Sequence, residues 1–179
     1  LPQDDSIAYI DNPNNPTGSY INETEVRKLI SGTPKNVLIV LDHAYEEFAG
    51  ESDYPNAVTL VNEFENVVAT RTFSKIYGLA SLRIGWCYSS NYIAEVLNKI
   101  RGPFNVGGPA QFAAVAALQD DDFFAASKAH NKKWLKFFFE EIAKIAAVKA
   151  HPSIANFILL DFGSLENCQK ANAKLLENG

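Results

Sequence analysis

The chain has no methionine anywhere, not even at position 1, and only two cysteines among its 179 residues. Leu1 is followed almost at once by a core-like strand. Leu175-Leu176-Glu177-Asn178-Gly179 reads as a last helical turn closed by glycine, so an internal piece of a longer protein is expected. Cys87 and Cys168 are too few and too far apart in sequence for a disulfide framework or a zinc site. Two buried, reduced thiols and no metal are expected instead. No apolar run approaches the roughly 20 residues of a membrane span. The opening Leu1-Pro2-Gln3-Asp4-Asp5 lacks the basic-then-apolar order of a secretory signal, and the expected compartment is cytoplasmic. Basic excess is missing too: 16 Lys and Arg stand against 21 Asp and Glu, so no nucleic-acid surface is expected. Neither G-x-G-x-x-G nor G-x-x-x-x-G-K occurs, which removes the dinucleotide and nucleoside-triphosphate loops. Ser74 lacks the nucleophile-elbow context of a hydrolase.

What is present is the composition of an ordinary globular protein, 47% hydrophobic and 21% charged. A chain of this length buries roughly 70% of its unfolded surface, enough for one core without staples. Short apolar runs alternate with helical patterns, the signature of βα units and a mostly parallel sheet with helices on both faces. The predicted strands are 7–10, 37–41, 67–70, 82–88 and 156–162. The predicted helices are 22–30, 91–101, 110–119, a long 121–147 and 165–177. Asn22 stands at an N-cap with Glu25 in the reciprocal position of a capping box. Trp134, Phe137 and Phe138 recur at helical spacing and read as packing residues. A boundary falls near Lys149.

Three segments carry chemistry. Asn12-Pro13-Asn14-Asn15-Pro16-Thr17-Gly18 makes a rigid turn directly after a strand, holding Asn15 at the carboxyl edge where open α/β sheets bind ligands; an ordinary turn uses the same residues. Asp42 closes a wholly apolar strand, so its carboxylate emerges at that edge, where burial raises its pKa unless a cation faces it. A loop or capping aspartate fits the position equally. Tyr45 can present its hydroxyl to a ring oxygen or simply fill the core. His43 should point away from Asp42 and serve structure. Lys75 follows Thr72-Phe73-Ser74 among apolar and aromatic neighbours, where burial and a nearby cation favour the neutral, nucleophilic amine. Arg83 supplies that cation and a planar fork suited to phosphate, with the Thr72 and Ser74 hydroxyls at hand.

Together these segments resemble the fold-type I pyridoxal-phosphate aminotransferases. Pro103-Phe104-Asn105-Val106, Ala110-Gln111 and the string from Thr72-Phe73-Ser74-Lys75 to Leu82-Arg83-Ile84-Gly85 are most similar to the histidinol-phosphate aminotransferase branch. The resemblance implies a three-layer αβα sandwich with a mostly parallel sheet, plus the start of a small α+β C-terminal domain. Residues 1–120 would belong to the cofactor-binding large domain, 121–148 to a long interdomain helix and 149–179 to the small domain. It further implies that Lys75 forms a Schiff base with pyridoxal 5'-phosphate and that Asp42 pairs with the pyridinium. Asn15 and Tyr45 would bind the ring hydroxyl, Thr72, Ser74 and Arg83 the phosphate, and Asn105 would line the substrate pocket. The freed Lys75 would carry a proton between substrate and cofactor carbons. A small amino donor, 2-oxoglutarate as acceptor and a homodimeric whole enzyme complete the implication.

His43 departs from the family's common glutamate. The family's upstream phosphate loop, ring-stacking aromatic, neighbouring-subunit tyrosine and C-terminal arginine lie outside residues 1–179, so the piece alone is expected to be catalytically poor or inert. Competing readings are an aromatic amino acid aminotransferase, a decarboxylase of the same scaffold similar to the threonine-phosphate decarboxylases, and a regulator with a non-catalytic cofactor-binding domain.

Overall fold

The computed structural model describes residues 7–179. Four strands, β1 (Ile7–Asp11), β2 (Leu38–Asp42), β3 (Val67–Thr72) and β4 (Gly85–Tyr88), form one sheet in sequence order. The first three are parallel and β4 returns antiparallel to β3. The helices are α1 (Glu23–Ser31), α2 (Ala57–Glu63), α3 (Asn91–Ile100), α4 (Gly108–Leu118), α5 (Asp121–Ile142) and α6 (Leu165–Glu177). A two-stranded antiparallel sheet of β5 (Lys149–Ala150) and β6 (Leu160–Asp161) precedes α6.

The register sorts side chains between the two faces of the sheet, because successive residues of a strand point to opposite sides. Ile39, Leu41, Val67 and Ala69 share one face and pack against Val26 and Ile30 of α1 and Ala57, Leu60 and Val61 of α2. Ile39, Leu41 and Leu60 are fully buried, each worth roughly 1.5–3 kcal/mol of hydrophobic stabilisation. The opposite face carries Tyr9, Val40, Asp42 and Thr70, and Tyr9 is 75% exposed. α1 begins with the expected box: Asn22 Oδ1 accepts from Glu25 N at 3.0 Å, and Glu25 Oε2 accepts from Asn22 N at 2.9 Å.

Several expectations are corrected. α2 was not foreseen. The strand expected over 156–162 shrinks to Leu160–Asp161, because the backbone before it is engaged elsewhere: Ile154 N donates to the Gly18 carbonyl at 3.0 Å and Asn131 Nδ2 donates to the Ala155 carbonyl at 3.1 Å. β4 starts at Gly85, since Ala80–Leu82 forms a 3-10 turn and Arg83 is left-handed (φ 51°). α5 stops at Ile142. Cys87 and Cys168 are free, as expected, but exposed, not buried. Trp134, Phe137 and Phe138 touch one another yet remain 38–51% exposed. Among the described residues no helix is long and apolar enough to cross a membrane, and no cluster of three or more His, Cys, Asp or Glu could hold a metal ion.

Candidate active site

The turn after β1 is locked by its own side chains. Asn12 is 1% exposed, and its amide both donates to the Ile21 carbonyl and accepts from Ile21 N, each at 3.0 Å. Asp11 accepts from Asn14 Nδ2 at 2.8 Å and from Asn15 N at 3.0 Å. Gly18 closes the turn at φ +72°, donating its N–H to the Asn14 carbonyl at 2.7 Å. This conformation and the close approach of Ser153 leave no room for a side chain there. Asn12 N also donates to the Asp42 carbonyl at 2.9 Å, which ties the turn to the end of β2.

That rigidity aims Asn15 across the sheet edge, where its Nδ2 donates to the Tyr45 hydroxyl at 3.0 Å. Tyr45 is 6% exposed, its ring packed edge-on against Phe157 at 5.1 Å between centroids. Lys75 Nζ lies 5.0 Å from the centroid of the same ring, a cation–π distance. Asp42 is half-buried and accepts from Ala44 N at 3.1 Å through Oδ1. Downstream of β3, Thr72 Oγ1 accepts from Ser74 N at 3.0 Å, and Ser74 Oγ accepts from Arg83 Nη1 at 3.4 Å. Arg83 is anchored by a 2.8 Å bond from Nη1 to the Ala80 carbonyl. A non-glycine residue in the left-handed region costs roughly 1–2 kcal/mol, a strain that gathers at functional sites.

Two groupings therefore form at the carboxyl edge: Asn15, Tyr45 and Lys75 in one, and Thr72, Ser74 and Arg83 in the other. Asn105 joins neither; it is exposed and accepts from Arg101 Nη1 at 3.0 Å. Lys75 itself is exposed, against the expectation of burial. The turn that follows β3 sends Phe73 (4% exposed) and Ile76 (3%) into the core and leaves Lys75 pointing outward between them. A cavity of about 790 Å³ lies along α5 and is lined in part by Phe48, Phe123, Trp134, Phe138 and Phe157; of the candidate residues only Lys75 borders it. Its lining is mostly aromatic and apolar but also holds Ser127, His130, Asn131 and Asn156.

On the reverse face of the same edge stands a cluster that the sequence reading missed. His43 is fully buried, with Nδ1 2.6 Å from Glu46 Oε2, and its ring packs edge-on against Tyr54 at 5.4 Å. Glu46 pairs with Arg71, whose Nε is also 3.6 Å from Glu47 Oε1. Burial pushes the Glu46 carboxyl up, but the His43 hydrogen bond and the Arg71 charge outweigh it and leave it below the ordinary range. Glu47 goes the other way, because burial exceeds the help it draws from Arg71. Burial also lifts the Tyr54 phenol, which donates to the Asn12 carbonyl. The available signal was Arg71, a charge inside a strand on the same face as Leu41 and Ala69.

Residues 2–179 match the family described as aminotransferase class I and II. The chain belongs to this family. It is 46% identical to the histidinol-phosphate aminotransferase of Maricaulis maris over 89% of this chain and 44% of that protein. Against the Zymomonas mobilis enzyme of the same name the identity is 46%, over 97% of this chain and 47% of that protein. The chain thus spans about half the length of the curated relatives it matches. The crystal structure of histidinol-phosphate aminotransferase from Sinorhizobium meliloti, in complex with pyridoxal-5'-phosphate, superposes with a TM-score of 0.83 at 33% identity, covering 89% of this chain and 43% of that one. L-threonine-O-3-phosphate decarboxylase from Porphyromonas gingivalis superposes at 0.76 and 25% identity, over 87% and 47%. The aminotransferase fold, α/β with a mostly parallel sheet, is therefore that of this chain.

Proposed function

We propose that the chain is part of a pyridoxal-phosphate-dependent aminotransferase that acts on histidinol phosphate with 2-oxoglutarate, in histidine biosynthesis in the cytoplasm. The observation that carries the reading is that one sheet edge bears an amine beside an amide–phenol pair (Lys75, Asn15 and Tyr45) and a guanidinium–hydroxyl group (Arg83, Ser74 and Thr72), with the Asp42 carboxylate at the end of β2. This donor set fits pyridoxal 5'-phosphate group by group: an aldehyde, a ring nitrogen, a ring hydroxyl and a phosphate.

When bound, that cofactor supplies an electron sink for the pair left on the substrate carbon after proton removal. The chain's own residues do the rest. Arg83, Ser74 and Thr72 would hold the phosphate through charge-assisted bonds. Asp42 would present a negative charge to the ring nitrogen and favour its protonated form. Asn15 and Tyr45 would offer N–H and O–H donors to the ring oxygen. Lys75 Nζ would be the amine that holds the aldehyde and, when free, the base and then the acid that moves the α-proton. Asn105 would line the substrate pocket.

Residues 1–120 form part of the large domain, 121–148 the interdomain helix and 149–179 the start of the small domain, within a homodimeric whole enzyme. The likeness to the phosphothreonine decarboxylase supports a second reading, in which the same Lys75 and Asp42 serve loss of carbon dioxide. The test uses the complete reading frame with and without Lys75→Ala. The wild type should bind pyridoxal phosphate with a visible absorption band that the variant lacks, and should turn over histidinol phosphate. A band that survives in the variant removes Lys75 from its role. Turnover of phenylalanine or tyrosine alone moves the enzyme to the aromatic branch, and carbon dioxide release to the decarboxylases. The isolated 179 residues should show no transamination.

A further inference from the structure

We infer that His43, Glu46 and Arg71 act as a buried charge clamp that positions Asp42, Tyr45 and the Thr72–Lys75 segment for the cofactor. The inference rests on the reading above. Each member of the cluster is the chain neighbour of a residue on the cofactor side: His43 follows Asp42, Glu46 follows Tyr45 and Arg71 precedes Thr72. Strand alternation sends Arg71 and Thr72 to opposite faces of β3, while His43 follows the last residue of β2 and Glu46 opens the 3-10 turn whose N-cap is Tyr45. What holds one member of each pair therefore sets the other.

The contacts cross all the segments that bear the site. Glu46 bonds to both His43 and Arg71, joining the end of β2 to the end of β3 through side chains. The backbone repeats the join, since His43 N donates to the Thr70 carbonyl at 3.0 Å. Tyr54 packs on the His43 ring and donates to the Asn12 carbonyl, which brings in the turn carrying Asn15. The Arg71 guanidinium lies 5.5 Å from the centroid of Trp86 on β4, and Glu47 closes its other side. The Glu47 side chain is only 8% exposed and that of Arg71 18%, so little water screens the group. Such a cluster tolerates few arrangements, because moving one charge leaves another buried without a partner. His43 Nε2, Glu47 Oε2 and Arg71 Nε and Nη1 are buried without a hydrogen-bond partner, so charge pairing with Glu46 and Glu47 is what holds Arg71 in the cluster.

The test uses the full-length protein and reads cofactor affinity and spectrum alongside stability. Glu46→Gln keeps the shape of the side chain and removes its charge; His43→Gln is the second variant and carries the test should the first fail to fold. Glu63→Gln is the control, since it breaks the Arg27–Glu63 pair, which lies away from the site. Apoprotein is titrated with pyridoxal phosphate, its thermal midpoint is measured, and the pH midpoint of the visible band is recorded. Both clamp variants should bind pyridoxal phosphate about 10-fold more weakly and shift the band midpoint, as expected when reacting groups are misplaced by a fraction of an ångström. Glu63→Gln should lower the thermal midpoint and leave both cofactor readings at the wild-type value. Clamp variants that lose stability but bind within about 2-fold of wild type, with the band midpoint unmoved, overturn the clamp and leave the cofactor reading standing. A wild-type protein without a Lys75-dependent band overturns both.

Discussion

Replacing Tyr45 with phenylalanine separates what this residue does for the fold from what it does for the cofactor. The ring stays, with its edge-on contact to Phe157 at 5.1 Å and its place under Lys75. Only the hydroxyl leaves, and with it the 3.0 Å bond from Asn15. Asn15 is exposed, so water can take up its amide, and the loss in apoprotein stability should be about 1 kcal/mol. Tyr45→Ala, which empties a site only 6% exposed, should cost roughly 3–5 kcal/mol. The cofactor responds differently. A hydrogen bond from the hydroxyl to a charged ring oxygen contributes roughly 1.5–3 kcal/mol, which makes Tyr45→Phe bind pyridoxal phosphate about 10- to 150-fold more weakly. The assay is urea unfolding of full-length apoprotein beside an absorbance titration with pyridoxal phosphate. Tyr45→Phe binding within about 2-fold of wild type refutes the role of the hydroxyl. A stability loss as large as that of Tyr45→Ala refutes the account of the packing.

Gly18→Ala should destabilise the full-length protein by about 2–4 kcal/mol, since it adds a Cβ at positive φ that meets Ser153 Cβ at 2.4 Å and Cα at 2.9 Å. A loss under about 1 kcal/mol in urea unfolding means the turn can leave Ser153 freely. Glu47→Gln tests the buried cluster against pH. The Glu47 carboxyl is raised from its ordinary 4.5, so the stability linked to its protonated form is complete below pH 4.5 and is lost as pH rises through the folded-state value. The glutamine variant should therefore gain about 1 kcal/mol over wild type near pH 7 and lose that advantage near pH 4. Thermal midpoints that differ equally at both pH values contradict this. Asn22→Ala removes the bond from Glu25 N to the Asn22 side chain, leaves the reciprocal bond from Asn22 N to Glu25 Oε2, and should cost about 1 kcal/mol, measured by urea unfolding; no change would mean the helix start is held without the Asn22 side chain.

Elements with strong local signals were readable before any coordinates. α6 matches its predicted span, and α1 and its cap follow from Asn22 and Glu25. β1, β2 and β3 follow from apolar runs bounded by turns. α2 was not readable, because Ala57–Glu63 is short and rich in β-branched residues and becomes helical by burying Ala57, Leu60 and Val61 on the sheet. Residues 156–159 looked like a strand and are not one, since the backbone just before them bonds to Gly18 and Asn131, far away in sequence.

The candidate site divides along the same line. Residue type and order alone singled out Asn15, Asp42, Tyr45, Lys75 and Arg83 as candidates, because the chemistry of the resembled family calls for an amine, a carboxylate and an anion anchor at the ends of successive strands. Only the tertiary structure decided that Asn15 reaches Tyr45, that Lys75 stands in the open above that ring, and that His43, Glu46 and Arg71 meet behind them. A sequence records each strand's two faces separately, whereas a contact between strands depends on register, and register is set by packing summed over the whole sheet.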